Sequence, residues 1–439
     1  MINGLLNKTI AVLGLGKSGM SALKALKQRG VHILAWDDRE ELRREAASCG
    51  ARVADLRLED FSDVSYLVIS PGIAHSFPKP HPVAKKAMDA GVPVIGDIEL
   101  FVATYANARY IGITGTNGKS TTASLVCHIL EQGGVPAAIG GNFGVPVFDL
   151  PPMPENGWYV LELSSYQLEL APSLDLDTAA LLNITPDHLA RHGGMDGYVA
   201  AKKLIFKRKS KACVTNIVAV DGPRTRRIFK ELEAAGASRR CVKNLAVSNR
   251  AATGSFWTDA KGMLRCGARP VLDLRTLGNL KGRHNWQNIA VAFACAKSAG
   301  LSDAKVIGAL KSFKPLAHRQ QFVGEICGIS FVNDSKATEA EAVKPALEAN
   351  REIYWIIGGR AKEGGIDGIL PLAKKRVVRA FAIGECAKEF HRSASSVVKS
   401  YRCGRLDKAV AKAYKCALKD MRKGRVKNPV ILLSPATAS

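Results

Sequence analysis

The stretch Tyr110–Thr122, YIGITGTNGKSTT, limits what this chain can fold into more than any other. A short apolar run (Tyr110, Ile111, Ile113) predicts a strand, a glycine-rich turn follows, and the next residues predict a helix that stops at Gly133-Gly134. Strand, tight turn and helix in that order belong to an α/β fold. Backbone N–H groups of the turn and of the helix N-terminus can surround phosphate oxygens there. Lys119 adds a point charge, and Ser120 or Thr121 can place a hydroxyl on a magnesium ion. The common phosphate loop reads G-x-x-x-x-G-K-[ST]. Here the first glycine's place holds Ile113, so the motif is the variant TGTNGKST. Gly115, Thr116, Asn117, Gly118, Lys119, Ser120 and Thr121 are therefore expected to hold a nucleoside triphosphate.

At 439 residues the chain is too long for one ordinary core, and roughly two to four domains are expected. No apolar run reaches the roughly 18 residues of a membrane span, and the opening MINGLLNKTIAVLGLG does not read as a secretory signal. The ten cysteines occur singly, without a C-x-x-C pair. Cys49, Cys127 and Cys295 sit in helical, alanine-rich contexts where a reduced cysteine acts as a small apolar residue, which fits a reducing cytoplasm. The net charge of +24 raises nucleic acid as a partner, through Lys202–Lys211, Lys374–Arg379 and Arg422–Lys427. Only 6% of residues are aromatic, no nucleic-acid module is present, and the charges are interleaved with apolar residues as on solvated helix faces. No nucleic acid is expected, and the charge excess has no explanation at this level.

The first hundred residues alternate strand-like and helix-like segments: Thr9–Leu13, a helix through Gln28, a strand ending at Asp37-Asp38, Ser65–Ile69, then a helix over Ile98–Tyr105. This βαβ pattern predicts a parallel sheet. A second set starts at the phosphate loop, with strands at Trp158–Leu163 and Thr178–Ile184 and a helix near Asn285–Ala299. A third begins near Ala317, with strands at Ile353–Ile357, Ala380–Ile383 and Val430–Leu433. The expected domains are residues 1–106, 107–315 and 316–439.

Gly14–Gly19, GLGKSG, satisfies G-x-G-x-x-G between a strand and a helix, with Asp37 and Asp38 after the next strand. Alone it predicts a nucleotide and keeps a nicotinamide oxidoreductase open as an alternative. The second nucleotide loop argues against that alternative, since a simple dehydrogenase has no use for a triphosphate site. Glu162 ends a strand beside the phosphate loop, where a metal-binding acid belongs in an open α/β fold. His188, in NITPDH at another strand end, is either a ligand or an ordinary hydrogen-bonding histidine.

Together, TGTNGKST, ELSSYQLE at Glu162–Glu169, NITPDHL, GRHNWQN at Gly282–Asn288, AHR at Ala317–Arg319 and NDSKAT at Asn333–Thr338 resemble the Mur ligase superfamily, in the family's order. The family makes amide bonds in peptidoglycan precursors at the expense of ATP. GLGKSG, DSKAT and the ending LLSPATAS look like the branch that adds D-glutamate, and the D-N-P-R motif of the diaminopimelate-adding branch is absent.

The resemblance implies a Rossmann-like N-terminal domain for UDP, a central P-loop ATPase domain, and a Rossmann-like C-terminal domain for the amino acid. Gly14, Gly16, Lys17, Ser18, Gly19, Asp37, Asp38, Arg39, Ser70, Pro71, Gly72 and Asn142 would then face the UDP substrate, UDP-N-acetylmuramoyl-L-alanine. Its carboxylate would attack the γ-phosphate of ATP, and the D-glutamate amine would attack the resulting acyl phosphate. Two anions meet in the first step, so cations should dominate catalysis. Lys119, Glu162, His188, Lys202 and Lys336 are the implied catalytic residues. Of these, Glu162 with Ser120 would hold one magnesium ion, and His188 with a carbamylated Lys202 a second. Lys203 is the competing register for the carbamate. Asn285, Asn288, Arg319 and Asp334 would meet ATP, and Lys336, Thr338, Lys362 and Ser439 the D-glutamate. A cytoplasmic monomer without membrane insertion is expected. The alternatives are another amino-acid-adding ligase of this kind, or an impaired relative that binds without turnover.

Two departures qualify the resemblance. The family's DHxDR reads Asp187-His188-Leu189-Ala190-Arg191 here, without the second acid, and the following loop is one residue off the usual length. The chain also stops at Ser439 where relatives continue into one more helix, so the third domain is expected to be truncated and its amino-acid pocket incomplete.

Overall fold

In the computed structural model, which describes residues 8–207, 214–236, 242–249, 255–278, 280, 282–360 and 365–437, three sheets carry the fold. The first contains β1 (Thr9–Leu13), β2 (His32–Trp36), β3 (Arg52–Val53), β4 (Val64–Ile69) and β5 (Val94–Ile95) in the order β3-β2-β1-β4-β5. Every pairing in it is parallel, as the βαβ pattern predicts. Ile10 and Val12 point into one core and Ala11 and Leu13 into another, so both faces are covered, as a parallel sheet requires. The chain reverses direction of winding between β1 and β4, and beyond such a switch point in an open parallel sheet lies the usual ligand crevice.

The second sheet contains β6 (Arg109–Thr114), β7 (Ala137–Gly141), β8 (Trp158–Glu162), β9 (Thr178–Leu181), β10 (Val214–Ala219), β11 (Val242–Ser248), β12 (Phe256–Thr258), β13 (Met263–Cys266) and β14 (Arg269–Asp273). Its order is β14-β13-β12-β11-β10-β9-β6-β8-β7. Parallel pairing of β6 with β8 and β9 sets Ile113 opposite both Glu162 and Ala180, so the ends of the three strands lie side by side. The antiparallel run β12-β13-β14 was not legible in the sequence, where these short, half-polar strands show neither a long apolar run nor sustained alternation.

The third sheet contains β15 (Gln321–Ile326), β16 (Ile329–Asn333), β17 (Ile353–Gly359), β18 (Val377–Gly384), β19 (Lys399–Gly404) and β20 (Val430–Leu433) in the order β15-β16-β20-β17-β18-β19. Its central strand β17 is buried from Ile353 to Gly358 and packs helices on both faces. The first two sheets belong to one compact unit, Met1–Leu277 with Asn285–Phe313, and the third to another, Gly278–His284 with Lys314–Ser439.

Candidate active site

The phosphate loop forms where β6 ends and the helix Lys119–Gln132 begins. Gly118, the residue before that helix, has φ +86°, and a Cβ there would lie 2.5 Å from Asn288 Oδ1. Only glycine fits both constraints. Asn183, just after β9, holds the other side of the loop. Its side chain accepts from Asn117 N–H at 2.8 Å and donates to the Asn117 carbonyl at 2.9 Å, while its carbonyl accepts from Thr116 N–H. The Thr116 hydroxyl meets Tyr198 Oη at 3.1 Å and accepts from Thr185 N–H.

Two lysines converge on this loop. Lys119 Nζ donates to the carbonyls of Gly115 at 2.9 Å and Thr116 at 2.8 Å. Lys202 Nζ, on the helix Met195–Lys203, donates to the same Gly115 oxygen at 2.9 Å and lies 4.7 Å from the centre of the Tyr198 ring. Lys202 is buried, and burial, reinforced by the Lys119 charge, pushes its ammonium well below the usual lysine range despite Asp187 and Glu162 nearby. Lys203 points the other way and pairs with Glu231 at the surface. Helical geometry turns adjacent residues about 100° apart, so only one of the two can face the loop.

Glu162, at the end of β8, is buried at 2% exposure. Its Oε1 accepts from Asn142 Nδ2 at 2.7 Å, whereas its Oε2 has no hydrogen-bond partner among the described residues. A buried carboxylate oxygen left without a donor is costly, and a hard cation relieves that cost. With the buried Ser120 hydroxyl at the helix start, the donor set suits magnesium. Asn142, expected to face the UDP substrate, bonds to Glu162 through both its side chain and its backbone N–H. His188 follows β9 with φ +52°, its Nε2 3.3 Å from Asp187 Oδ2 and its ring 5.4 Å from that of Tyr166. Asn285 and Asn288, on the helix Arg283–Ser298, are joined by a 3.3 Å hydrogen bond, as their spacing predicts.

At the crevice of the first sheet, Gly14 has φ +86° and Gly19 leaves no room for a Cβ, which would sit against the Gly14 carbonyl oxygen. The helix Lys17–Lys27 starts on this turn with Lys17 and Ser18, and Gly16 precedes it. Asp37 Oδ2 accepts from Leu15 N–H at 2.7 Å and Ser70 Oγ donates to the Gly14 carbonyl at 2.9 Å, so the ends of β1, β2 and β4 are tied together. Burial raises the Asp37 carboxyl, but hydrogen bonds from Arg39 and Leu15 outweigh it and keep the group ionised below the usual range. Asp38 offers its carbonyl to Arg43, and Pro71 and Gly72 continue the loop from Ser70.

Within the third-sheet unit, Asp334 is buried and accepts from Ser434 Oγ at 2.8 Å and Gln320 N–H at 3.1 Å. Burial lifts its carboxyl to about 6. Lys336 N–H donates to the His318 carbonyl and Thr338 N–H to that of Lys336, which sets the segment of Arg319 beside the turn that carries Asp334, Lys336 and Thr338. Lys362 and Ser439 lie outside the described residues.

Residues 113–296 match the Mur ligase middle domain, and residues 8–96 match the MurD-like N-terminal domain of Mur ligases. A protein of Paramagnetospirillum magneticum named UDP-N-acetylmuramoylalanine–D-glutamate ligase is 46% identical over 98% of this chain and 92% of its own length. This chain is a Mur ligase. A Caulobacter protein of the same name is 42% identical over the whole of this Mur ligase and 93% of its own length. The fold is also that of MurF from Acinetobacter baumannii (TM-score 0.62, 18% identity, 93% of this chain and 88% of that one). MurC from Thermotoga maritima is similar (TM-score 0.59, 17% identity, 98% and 95%). The glycine loop at Gly14–Gly19 falls inside the MurD-like match, which removes the ground for the nicotinamide alternative. The sequence reading of this Mur ligase missed Asn183 and Tyr198. Asn183 opens the NITPDH motif at a strand end, which was its signal, but nothing local marked Tyr198.

Proposed function

We propose that this Mur ligase joins D-glutamate to UDP-N-acetylmuramoyl-L-alanine, using ATP, in a step of cytoplasmic peptidoglycan-precursor synthesis. The observation that carries the reading is the meeting of Lys119 and Lys202 at the Gly115 carbonyl in a loop built for phosphate. The choice of D-glutamate rests on the names of the relatives that align end to end with the chain. Domains of 1–106, 107–315 and 316–439 divide the work among UDP substrate, ATP and amino acid.

In this reading Lys119 neutralises the β- and γ-phosphates while the substrate carboxylate attacks, because approach of two anions is the main obstacle. Magnesium ions would supply further charge neutralisation, held by Ser120 with Glu162 and by His188 with Lys202. Lys202 suits a carbamate: burial lowers its ammonium and so favours the free amine whose electron pair attacks carbon dioxide with loss of a proton, and the product offers oxygen rather than N–H to a cation. Asn285, Asn288, Arg319 and Asp334 are assigned to ATP. The Gly14–Gly19 loop with Asp37, Asp38, Arg39 and Ser70–Gly72 is assigned to the uridine diphosphate. Asn142 orients Glu162, and Lys336, Thr338, Lys362 and Ser439 are assigned to the glutamate carboxylates. The working form is taken as a monomer.

The test is phosphate release by the purified chain with ATP, magnesium, UDP-N-acetylmuramoyl-L-alanine and D-glutamate, each omitted in turn. Release that requires all four is expected. Full activity with another amino acid in place of D-glutamate, and none with D-glutamate, would overturn the substrate assignment.

A further inference from the structure

Four residues after His188, His192 has a wholly buried side chain that bridges two residues of the short helix Ser165–Glu169. Its Nε2 lies 2.9 Å from Ser165 Oγ and its Nδ1 3.2 Å from Glu169 Oε1. A carboxylate oxygen only accepts, so Nδ1 carries a proton. The ring also stacks on Tyr166 at 5.1 Å and 17°, and Tyr166 in turn contacts His188. His192 thus joins one cluster with Ser165, Tyr166, Glu169 and His188.

The same cluster grips the loop that follows β4. Arg191, whose guanidinium lies 4.7 Å from the Tyr166 ring centre, donates to the carbonyls of Gly72 at 2.8 Å and Ile73 at 3.2 Å. The acid expected beside it in the family pattern is Ala190 here, and the guanidinium bonds to these two backbone carbonyls. Glu169 turns its second oxygen toward His75 Nε2 at 3.7 Å. The Phe77 ring lies where a Cβ on Gly193 would fall, 3.0 Å away, and Gly193 has φ +65°. Arg191 and Gly193 thus bring the turn 188–193 of the second sheet against loop 70–77 of the first at Gly72, Ile73 and Phe77, while Glu169, which holds His192, faces the same loop at His75.

We propose that His192, through Glu169 and Ser165, is a positioning residue that locks the loop 70–77 onto the His188 turn and so sets where the carboxylate end of a UDP-linked substrate meets the phosphate loop. The proposal deepens the ligase reading and rests on it. His192 touches no reacting atom; it holds the two surfaces between which the substrate must stretch, and positional error of about 1 Å is enough to cost binding and rate.

The experiment compares His192→Phe, which keeps a ring over Tyr166 and removes both hydrogen bonds, with His192→Gln, which can still donate to Glu169. Steady-state kinetics and amide hydrogen exchange of residues 70–77 are read together. In His192→Phe we expect KM for UDP-N-acetylmuramoyl-L-alanine to rise about tenfold, with KM for ATP changed less than about twofold and faster exchange in 70–77. His192→Gln should recover most of both effects. Unchanged exchange in 70–77 overturns the proposal, as does a fall in kcat with the UDP-substrate KM unaltered. Should His192→Phe fail to fold, Glu169→Gln is read by the same two measurements. A wild-type chain without UDP-substrate-dependent turnover sinks the ligase reading, while hydrogen exchange still decides whether His192 holds the loop.

Discussion

Lys119 and Lys202 donate to one acceptor, the carbonyl oxygen of Gly115, each at 2.9 Å. The two nitrogens come from different helices, Lys119–Gln132 and Met195–Lys203, which are far apart in the sequence. Burial, reinforced by the Lys119 charge, holds the Lys202 ammonium well below the usual lysine range.

Lys119→Ala should lower kcat about 100- to 1000-fold, the usual loss when one group that stabilises transition-state charge is removed. Phosphate release under saturating substrates measures it. Activity within about threefold of wild type would remove Lys119 from the mechanism.

Lys202 has its folded-state proton affinity depressed, so as pH rises from its folded value toward the unfolded one, folding is increasingly favoured. Lys202→Met should therefore be more heat-stable than wild type at low pH and lose that advantage as pH rises, while activity disappears throughout. Carbon-13 NMR with labelled bicarbonate should show a carbamate signal that Lys203→Met keeps and Lys202→Met lacks. The opposite pattern would move the modification to Lys203.

Asn142→Ala leaves the buried Glu162 carboxylate without its 2.7 Å donor. Loss of such a supporting partner raises the metal requirement about 10- to 100-fold. A magnesium titration of turnover checks this, and Glu162→Gln should be the more severe variant because it removes a ligand rather than its support.

Gly118→Ala forces a side chain onto backbone at φ +86° and against Asn288 Oδ1. We expect a loss of about 1–3 kcal/mol in stability and weaker ATP binding. Combining it with Asn288→Ala should restore part of the stability, since the clash is removed although the backbone strain stays. Strict additivity in thermal denaturation would show that the two residues do not interact.

Asp334, lifted to about 6 by burial, stabilises the fold fully below its unfolded value near 3.8 and loses that contribution as pH rises through about 6. Asp334→Asn avoids burying the charge, so in thermal denaturation above about pH 7 it should be more stable than wild type, by at most about 3 kcal/mol. If Asp334 also serves ATP, the same variant turns over more slowly. A variant less stable than wild type at every pH would contradict the burial argument.

Much of this was written locally. Short apolar runs marked β1, β6, β17 and β20 nearly residue for residue, because a strand buried on both faces has to be a near-continuous apolar run. The phosphate loop was equally plain, since Gly118 and Lys119 are demanded by their own backbone and charge. The strands β12 to β14 were not, because short half-exposed strands draw their stability from neighbours rather than from their own pattern.

The sequence by itself determined which residues could bind phosphate, hold a cation or carry a nucleotide, since those properties follow from side-chain chemistry and local turns. Only the tertiary structure decided that Lys202 rather than Lys203 faces Gly115, that Asn142 bonds to Glu162, and that Arg191 bonds to loop 70–77 while His192 bonds to Ser165 and Glu169. Those choices depend on burial and on parallel strands that bring Glu162, Gly115 and Asn183 side by side. Both are properties of the packed chain, in which residues far apart in sequence share one desolvated site.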